Sequence, residues 1–295
     1  MLNKALKRFS MLAKRIISIL RASFLGLKFI LSFRSINIRL LLSLLSYTLK
    51  FYIKTRLHHG HILPWPAVTV DTYVKLGSFW YLIRKFSDDL LHANPYFEDR
   101  IKNIIRRVLH KGDVFIDVGA NIGSHTLYAT KLIGPSGLAI AIEPVPENVK
   151  ALQINCKLNR VNNLIIFPYA AYDKSNVRLD MYFNRLFTGW SSIARKQGFG
   201  SQLIKISVNT IRLDDILKKL NINYIKLIKI DVEGSELQVL NGALSTLKRT
   251  KYVLLEATYN RNILIDFMRK QGFKCIEFLC EERRHIFCIN KKLML

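Results

Sequence analysis

Acidic residues are scarce in this sequence: 21 Asp and Glu stand against 46 Lys and Arg over 295 residues, a formal net charge of +25. The shortage is uneven. Residues 1–70 hold twelve Lys and Arg and no acid, which leaves 34 basic against 21 acidic residues in the remainder. A long uncharged apolar run is also missing. The longest is Leu40 to Leu49, whereas a membrane-spanning helix needs about 18 residues or more. A single span would have to use residues 36–53, with Arg39 and Lys50 reaching back to the interfaces. Cysteines number four (Cys156, Cys275, Cys280, Cys288), with no C-x-x-C pair and no dense spacing. That pattern predicts reduced, structural thiols in a reducing compartment, although one bridge remains compatible with it.

What the N-terminal segment does have is Leu, Ile and Phe interleaved with a positive charge every few residues. Amphipathic helices on a membrane surface fit this composition, each basic side chain near anionic lipid adding about 1 kcal/mol. Helices packed on the following domain with their charges solvated fit equally well, and an Arg-rich, acid-free organellar transit peptide is a third reading. Nucleic-acid binding ranks below these, because few aromatics are placed to stack on bases. The expected location is therefore cytoplasmic, peripheral to a membrane through residues 1–56 if that segment is surface-bound, with organellar import open. Gly60, Pro64 and Pro66 then break the helical pattern. His58, His59 and His61 lie in this break with no nearby acid or cysteine to complete a ligand set, so a linker is expected and no metal site. The division predicted is a basic apolar helical segment with linker over 1–70 and one domain over 71–295.

Chemistry begins at "VFIDVGANIGSHT", residues 114–126. An apolar strand carrying Asp117 leads into a turn bracketed by Gly119 and Gly123, and a helix starts near Ser124. Glycines here supply backbone angles closed to other residues and let a ligand approach the chain. The next strand ends in Glu143, 24 residues past Gly119, where an acid can accept hydrogen bonds from both hydroxyls of a ribose. A dinucleotide fingerprint would need G-x-G-x-x-G to cradle a pyrophosphate. The turn here is G-A-N-I-G with an acid just before it, which suits a cationic, amino-bearing ligand such as S-adenosylmethionine.

Taken together, "VFIDVGANIGSHT", "IEPVPENVKALQINCKLN", "LIKIDVEGSELQVLNGA" and "YVLLEAT" resemble the FkbM family of S-adenosylmethionine-dependent methyltransferases over residues 95–280. The resemblance implies a Rossmann-like methyltransferase fold and O-methylation of a hydroxyl on a sugar, glycan or small metabolite. Alternating strands and helices argue independently for a mostly parallel α/β sheet, closed by an antiparallel hairpin in "KCIEFLCEERRHIFCI". Ligands of such sheets bind beyond the carboxyl ends of the strands, where strand order reverses. Asp117, Gly119, Asn121, Gly123 and Glu143 fall at that end as cofactor-binding candidates. Ala171 and Asp173, after the third strand of the sheet, join them on the family's placement of adenine contacts.

Asp231 and Glu233 in "KIDVEG" fall at the carboxyl end of the fourth parallel strand, and Glu256 at the end of the fifth. In the family's fold the first position faces the transferable methyl group. Asp231 or Glu233 is the expected base or orienter of the acceptor hydroxyl, with Glu256 in reserve. Glu236 reads as a first-turn acid favoured by the helix dipole, and Asp214 and Asp215 as capping residues. Asn155 and Asn159 read as helix-end residues rather than ligands. Residues 184–202, rich in Gly, Ser and aromatics, read as a loop that shapes a substrate pocket or merely connects strands. Base N-methylation usually needs an N/D-P-P-Y/F motif, which "DVEG" is not. RNA ribose methylation stays compatible with the charge. A catalytically inactive, membrane-associated binding protein of this fold would show a broken cofactor loop, and this loop is intact.

Overall fold

The structure, a computed structural model, describes residues 68, 70–184, 187–192, 203–257, 260–280 and 283–294. The basic N-terminal segment, with its membrane-surface and transit readings, and the histidines of the linker lie outside the described residues. Among the described residues no helix is long and apolar enough to cross a membrane.

The described chain opens with a hairpin, β1 (Thr72–Leu76) and β2 (Phe79–Ile83), followed by α1 (Asp89–His92) and α2 (Asp99–Val108). Strands and helices then alternate: β3 (Val114–Val118), α3 (Ser124–Ile133), β4 (Leu138–Ile142), α4 (Pro146–Leu158) and β5 (Leu164–Phe167). A second group follows, β6 (Ala170–Ala171), β7 (Arg178–Asn184), β8 (Phe187–Ser192) and β9 (Leu203–Ile211). The chain continues through α5 (Leu213–Leu220), β10 (Ile225–Ile230), α6 (Glu236–Asn241), α7 (Leu244–Lys248) and β11 (Thr250–Glu256). It closes with α8 (Arg261–Lys270), β12 (Phe273–Cys280) and β13 (Arg283–Asn290).

The main sheet has the order β12-β13-β11-β10-β3-β4-β5. β11, β10, β3, β4 and β5 are parallel, and β13 and β12 are antiparallel. Strand order therefore reverses between β3 and β10, so the expected parallel sheet with a C-terminal hairpin is present. Helix signals agree with their positions: Pro146 opens α4, and Asp99 and Arg106–Arg107 sit at the ends of α2 that the dipole favours. Within 184–202, Phe187–Ser192 is not loop but β8, which pairs with β7 in a separate four-stranded sheet. The alternation of Thr and Trp with Gly and Ser there was too weak to read as a strand.

Side-chain alternation splits the main sheet into two packed faces. Ile116, Val118, Ile228, Ile230 and Leu255 pack with Ile216 of α5 and Leu264 of α8. Phe115, Leu227 and Leu254 pack on the other face with Ile101 and Ile105 of α2 and Ala129 and Ile133 of α3.

The cysteine expectation needs correction. Cys275 and Cys288 are bonded to each other, while Cys156 and Cys280 are buried and take no part in that bond. The two bonded residues face one another across the β12–β13 pair with their Cα atoms 4.1 Å apart. Sequence spacing could not disclose this, because it depends on hairpin register.

Two further roles are more specific than the sequence disclosed. Asp214 accepts from Thr246 N and Oγ1, each at 2.7 Å, and from Ser245 N at 3.2 Å, so it caps α7 rather than its own helix. Asn155 accepts from Leu82 N at 2.7 Å and donates to Ile122 O at 2.9 Å, and Asn159 pairs with both backbone groups of Trp80. These asparagines supply β2 with the hydrogen bonds of a neighbouring strand and tie it to α4 and the glycine turn.

Candidate active site

Period-2 alternation gathers the charged residues. Asp117 shares a strand face with Phe115, Lys229 with Leu227, and Glu256 with Tyr252 and Leu254. Arg283 and His285 share theirs with Phe287. All of these lie on the sheet face covered by α2 and α3. Register then aligns them: Asp117 is opposite Lys229, and Glu256 is opposite His285.

Lys229 stands at the reversal point, its Nζ 3.6 Å from Asp117 Oδ1 and 3.2 Å from Asp231 Oδ2. Burial opposes its charge, but the two carboxylates outweigh burial and raise its pKa above the ordinary lysine value. Asp117 Oδ2 accepts from Thr126 Oγ1 at 2.7 Å. Its carboxyl thus bonds the first turn of α3, not the backbone of the glycine turn. Burial raises its pKa.

The glycine turn is shaped first by the protein's own packing. A Cβ on Gly119 (φ +80°) would stand 1.8 Å from Asp231 O, and one on Gly123 (φ +87°) 2.2 Å from Leu152 Cδ1 of α4. The close approach these glycines allow is therefore that of β10 and α4. Asn121, also left-handed at φ +50°, donates its N–H to Glu143 Oε2 at 2.9 Å. Glu143 Oε1 accepts from Val145 N at 3.0 Å and Asn148 Nδ2 at 3.2 Å. Behind Asn148 stands Arg84, which donates to it at 3.0 Å and pairs with the fully buried Asp89 at 2.6 Å. Glu143 is thereby fixed from three sides, with one lone pair of Oε2 left for a hydroxyl.

Asp231, Glu233 and Glu256 converge, one oxygen of each lying within 4.8 Å of the others. Arg283 Nη1 lies 3.2 Å from Glu233 Oε1 and 3.1 Å from Glu256 Oε1. The three acids are not equivalent. Burial alone would raise Asp231, but Lys229 and Arg283 hold it well below the usual carboxylate range. Burial, reinforced by the Asp231 charge and only partly offset by Arg283, pushes Glu233 up to about 7. Glu233 also sits in a left-handed conformation, φ +52°, that turns the chain after β10. Glu236 does what a first-turn acid should, its Oε1 accepting from Gly234 N at 2.9 Å.

The candidates thus fall into a linked series. Asp117, Asp231, Glu233 and Glu256 form one group through Lys229 and Arg283, and Asn121 and Glu143 a second across the glycine turn. Ala171, paired with Ile211 in β6, and the half-buried Asp173 lie past the end of β5, whose Phe167 O accepts from Glu143 N at 3.2 Å. Sequence reasoning missed Lys229, Arg283, His285 and Glu98. Glu98, buried at the N-terminus of α2, has Oε2 3.3 Å from His125 Nε2. The one signal available for Lys229 was a lysine alternating into an otherwise apolar strand, which demands buried acids.

A methyl donor with a positive sulfur, an amino group and a ribose fits these residues. Asp117 Oδ1 and Asn121 Oδ1 are buried acceptors without a hydrogen-bond partner among the described residues, and Glu143 retains an open lone pair.

A family model described as the methyltransferase FkbM domain matches residues 117–275. The 31-O-demethyl-FK506 methyltransferase FkbM of Streptomyces tacrolimicus is 32% identical over 202 residues, 60% of this chain and 73% of that protein. The hexuronic acid methyltransferase AglP of Haloferax volcanii is 28% identical over 158 residues, 52% of this chain and 61% of its own. The 2-O-methyltransferase NoeI of Sinorhizobium fredii is 27% identical over 203 residues, 63% of this chain and 81% of its own.

Proposed function

Given that the chain belongs to the FkbM methyltransferase family, we propose that it methylates a hydroxyl of a sugar, glycan or small metabolite with S-adenosylmethionine as donor. The observation that carries this reading is the convergence of Asp231, Glu233 and Glu256 at the carboxyl ends of β10 and β11, beside the glycine turn. Relatives named for hexuronic acid and 2-O methylation support a hydroxyl-bearing acceptor.

S-adenosylmethionine, when bound, supplies a methyl group on a positive sulfur that departs as a neutral thioether. Glu143 and Asn121 would hold the ribose end, Asp117 the methionine end, and Ala171 with Asp173 the adenine. Asp231, kept ionised by Lys229 and Arg283, places negative charge beside the sulfonium and orients the acceptor hydroxyl. Glu233 removes the hydroxyl proton as the new oxygen–carbon bond forms, because a carboxyl poised near 7 accepts protons better than Asp231. Glu256 shares Arg283 with Glu233 and so sets its position. Alignment of donor and acceptor supplies up to about 7 to 11 kcal/mol of the barrier, and a positioned base a further factor of about 10² to 10⁴.

The test is a screen of sugars and cell extracts incubated with protein and donor, read by mass spectrometry. An acceptor that gains one methyl on oxygen supports the reading. Methylation confined to RNA ribose would move it to nucleic acid, and methylation on nitrogen would overturn it.

A further inference from the structure

Two sets of side chains, the first wholly buried and the second buried except for Asp231, meet where α2, β10, β11 and β13 converge. Glu98, Glu256 and His285 each offer one ligand atom within 4.8 Å of the other two, and Asp231, Glu233 and Glu256 do the same. Glu256 belongs to both sets. Ligands of one octahedral Mg²⁺ stand about 3 Å apart when adjacent and about 4.2 Å apart when opposed, so ligand atoms that all lie within 4.8 Å of one another are near coordinating separations. Glu98, Glu256 and His285 are 6%, 3% and 4% exposed, and no surface acids are involved.

We propose that Glu98, Glu256 and His285 form a binding site for a divalent cation of the Mg²⁺ or Mn²⁺ class beside the methyl-transfer position. Three observations support it besides the spacing. The carboxyls of Glu98, Asp117, Asp231, Glu233 and Glu256 are gathered around Lys229 and Arg283, with His92 also acting on Glu98, and a cation among close carboxyls offsets their mutual repulsion. Next, His125 Nε2 is buried without a hydrogen bond yet lies 3.3 Å from Glu98 Oε2, a polar atom aimed at the cluster and unsatisfied by it. Finally, one ring nitrogen of His285 is 3.3 Å from Arg283 O and its ring stacks on Phe278. A ligating histidine is commonly held in place through its other ring nitrogen in this way.

Arg283 reaches Glu256 and Glu233 from a side chain that is 34% exposed, so it stands on the solvent side of the buried set. Carboxylates suit Mg²⁺ and Mn²⁺, and an imidazole in the set favours Mn²⁺ over Mg²⁺. What the cation would do rests on the methyl-transfer reading above: its charge lowers the pKa of an acceptor hydroxyl and eases proton loss to Glu233. That it binds does not depend on that reading.

The experiment uses the full chain, stripped with chelator and free of S-adenosylmethionine, titrated with Mn²⁺ and followed by paramagnetic resonance of the free ion. Donor binding is measured in parallel by calorimetry. The expected result is one saturable Mn²⁺ per chain, competed by Mg²⁺. Glu98→Gln and His285→Gln should each weaken it at least about tenfold, and Arg283→Gln should leave it unchanged or tighten it. Saturable uptake that none of these variants alters, or no saturable uptake by a chain that binds the donor, overturns the site while leaving methyl transfer standing. Loss of donor binding with Mn²⁺ uptake intact would overturn the functional reading and leave the site standing.

Discussion

Lys229 faces Asp117 directly across the β3–β10 pair, Nζ 3.6 Å from Oδ1, at the point where strand order reverses. The same ammonium is 3.2 Å from Asp231 Oδ2, so one buried cation joins the proposed cofactor turn to the proposed catalytic turn. Lys229→Met should leave the buried Asp117 and the partly exposed Asp231 without their shared cation. Breaking a buried pair from one side costs about 3 to 5 kcal/mol, and urea unfolding of the variant at neutral pH should register a loss of that size. A loss well under 1 kcal/mol would show that Lys229 does not neutralise this pair.

Gly119→Ala combines a disfavoured φ of +80° with a Cβ 1.8 Å from Asp231 O. Backbone strain and overpacking cost about 1 to 3 kcal/mol each, so a combined loss of about 2 to 6 kcal/mol is expected in thermal or urea unfolding. Calorimetry should also show donor binding lost, since β10 must retreat from the turn.

The thiols give a direct count. Burial pushes the Cys156 thiol up to about 12, and thiol reagents react with the thiolate. At about pH 8 the folded protein should therefore leave Cys156 unmodified, its reactivity rising only as pH approaches that value. Unfolded without reductant, the chain should expose two reactive thiols, Cys156 and Cys280, and after reduction all four. Four reactive thiols without reduction would contradict the Cys275–Cys288 bond.

Glu233→Gln keeps the size of the side chain and its place by Arg283 but cannot take a proton. Turnover should fall by about 10² to 10⁴ while the donor dissociation constant changes little. Asp231→Asn should weaken both, because Asp231 neutralises Lys229 and faces the donor. A Glu233→Gln enzyme with full turnover would remove Glu233 as the proton acceptor.

Local chemistry was legible in the sequence where it depends on near neighbours. The strand carrying Asp117, the glycine turn, the acid at Glu143 and the acids after β10 follow from alternation and turn residues, and the structure places them at one end of the sheet. What depends on register was not legible. Arg283 and His285 reach the site only because β13 pairs with β11 so that His285 meets Glu256, and the disulfide follows from the β12–β13 register. Glu98 precedes the family-matched residues and arrives through the packing of α2 on α3. Asp214 shows the converse limit: its place at a helix start was readable, but the helix it caps, 30 residues on, was not.

Calorimetric titration of the full chain with S-adenosylmethionine tests the central claim most directly. Saturable one-to-one binding is predicted, weakened at least about tenfold, or about 1.4 kcal/mol, when Glu143→Ala removes the acceptor for Asn121 N and for a ribose hydroxyl. A folded chain that takes up no S-adenosylmethionine would contradict the account.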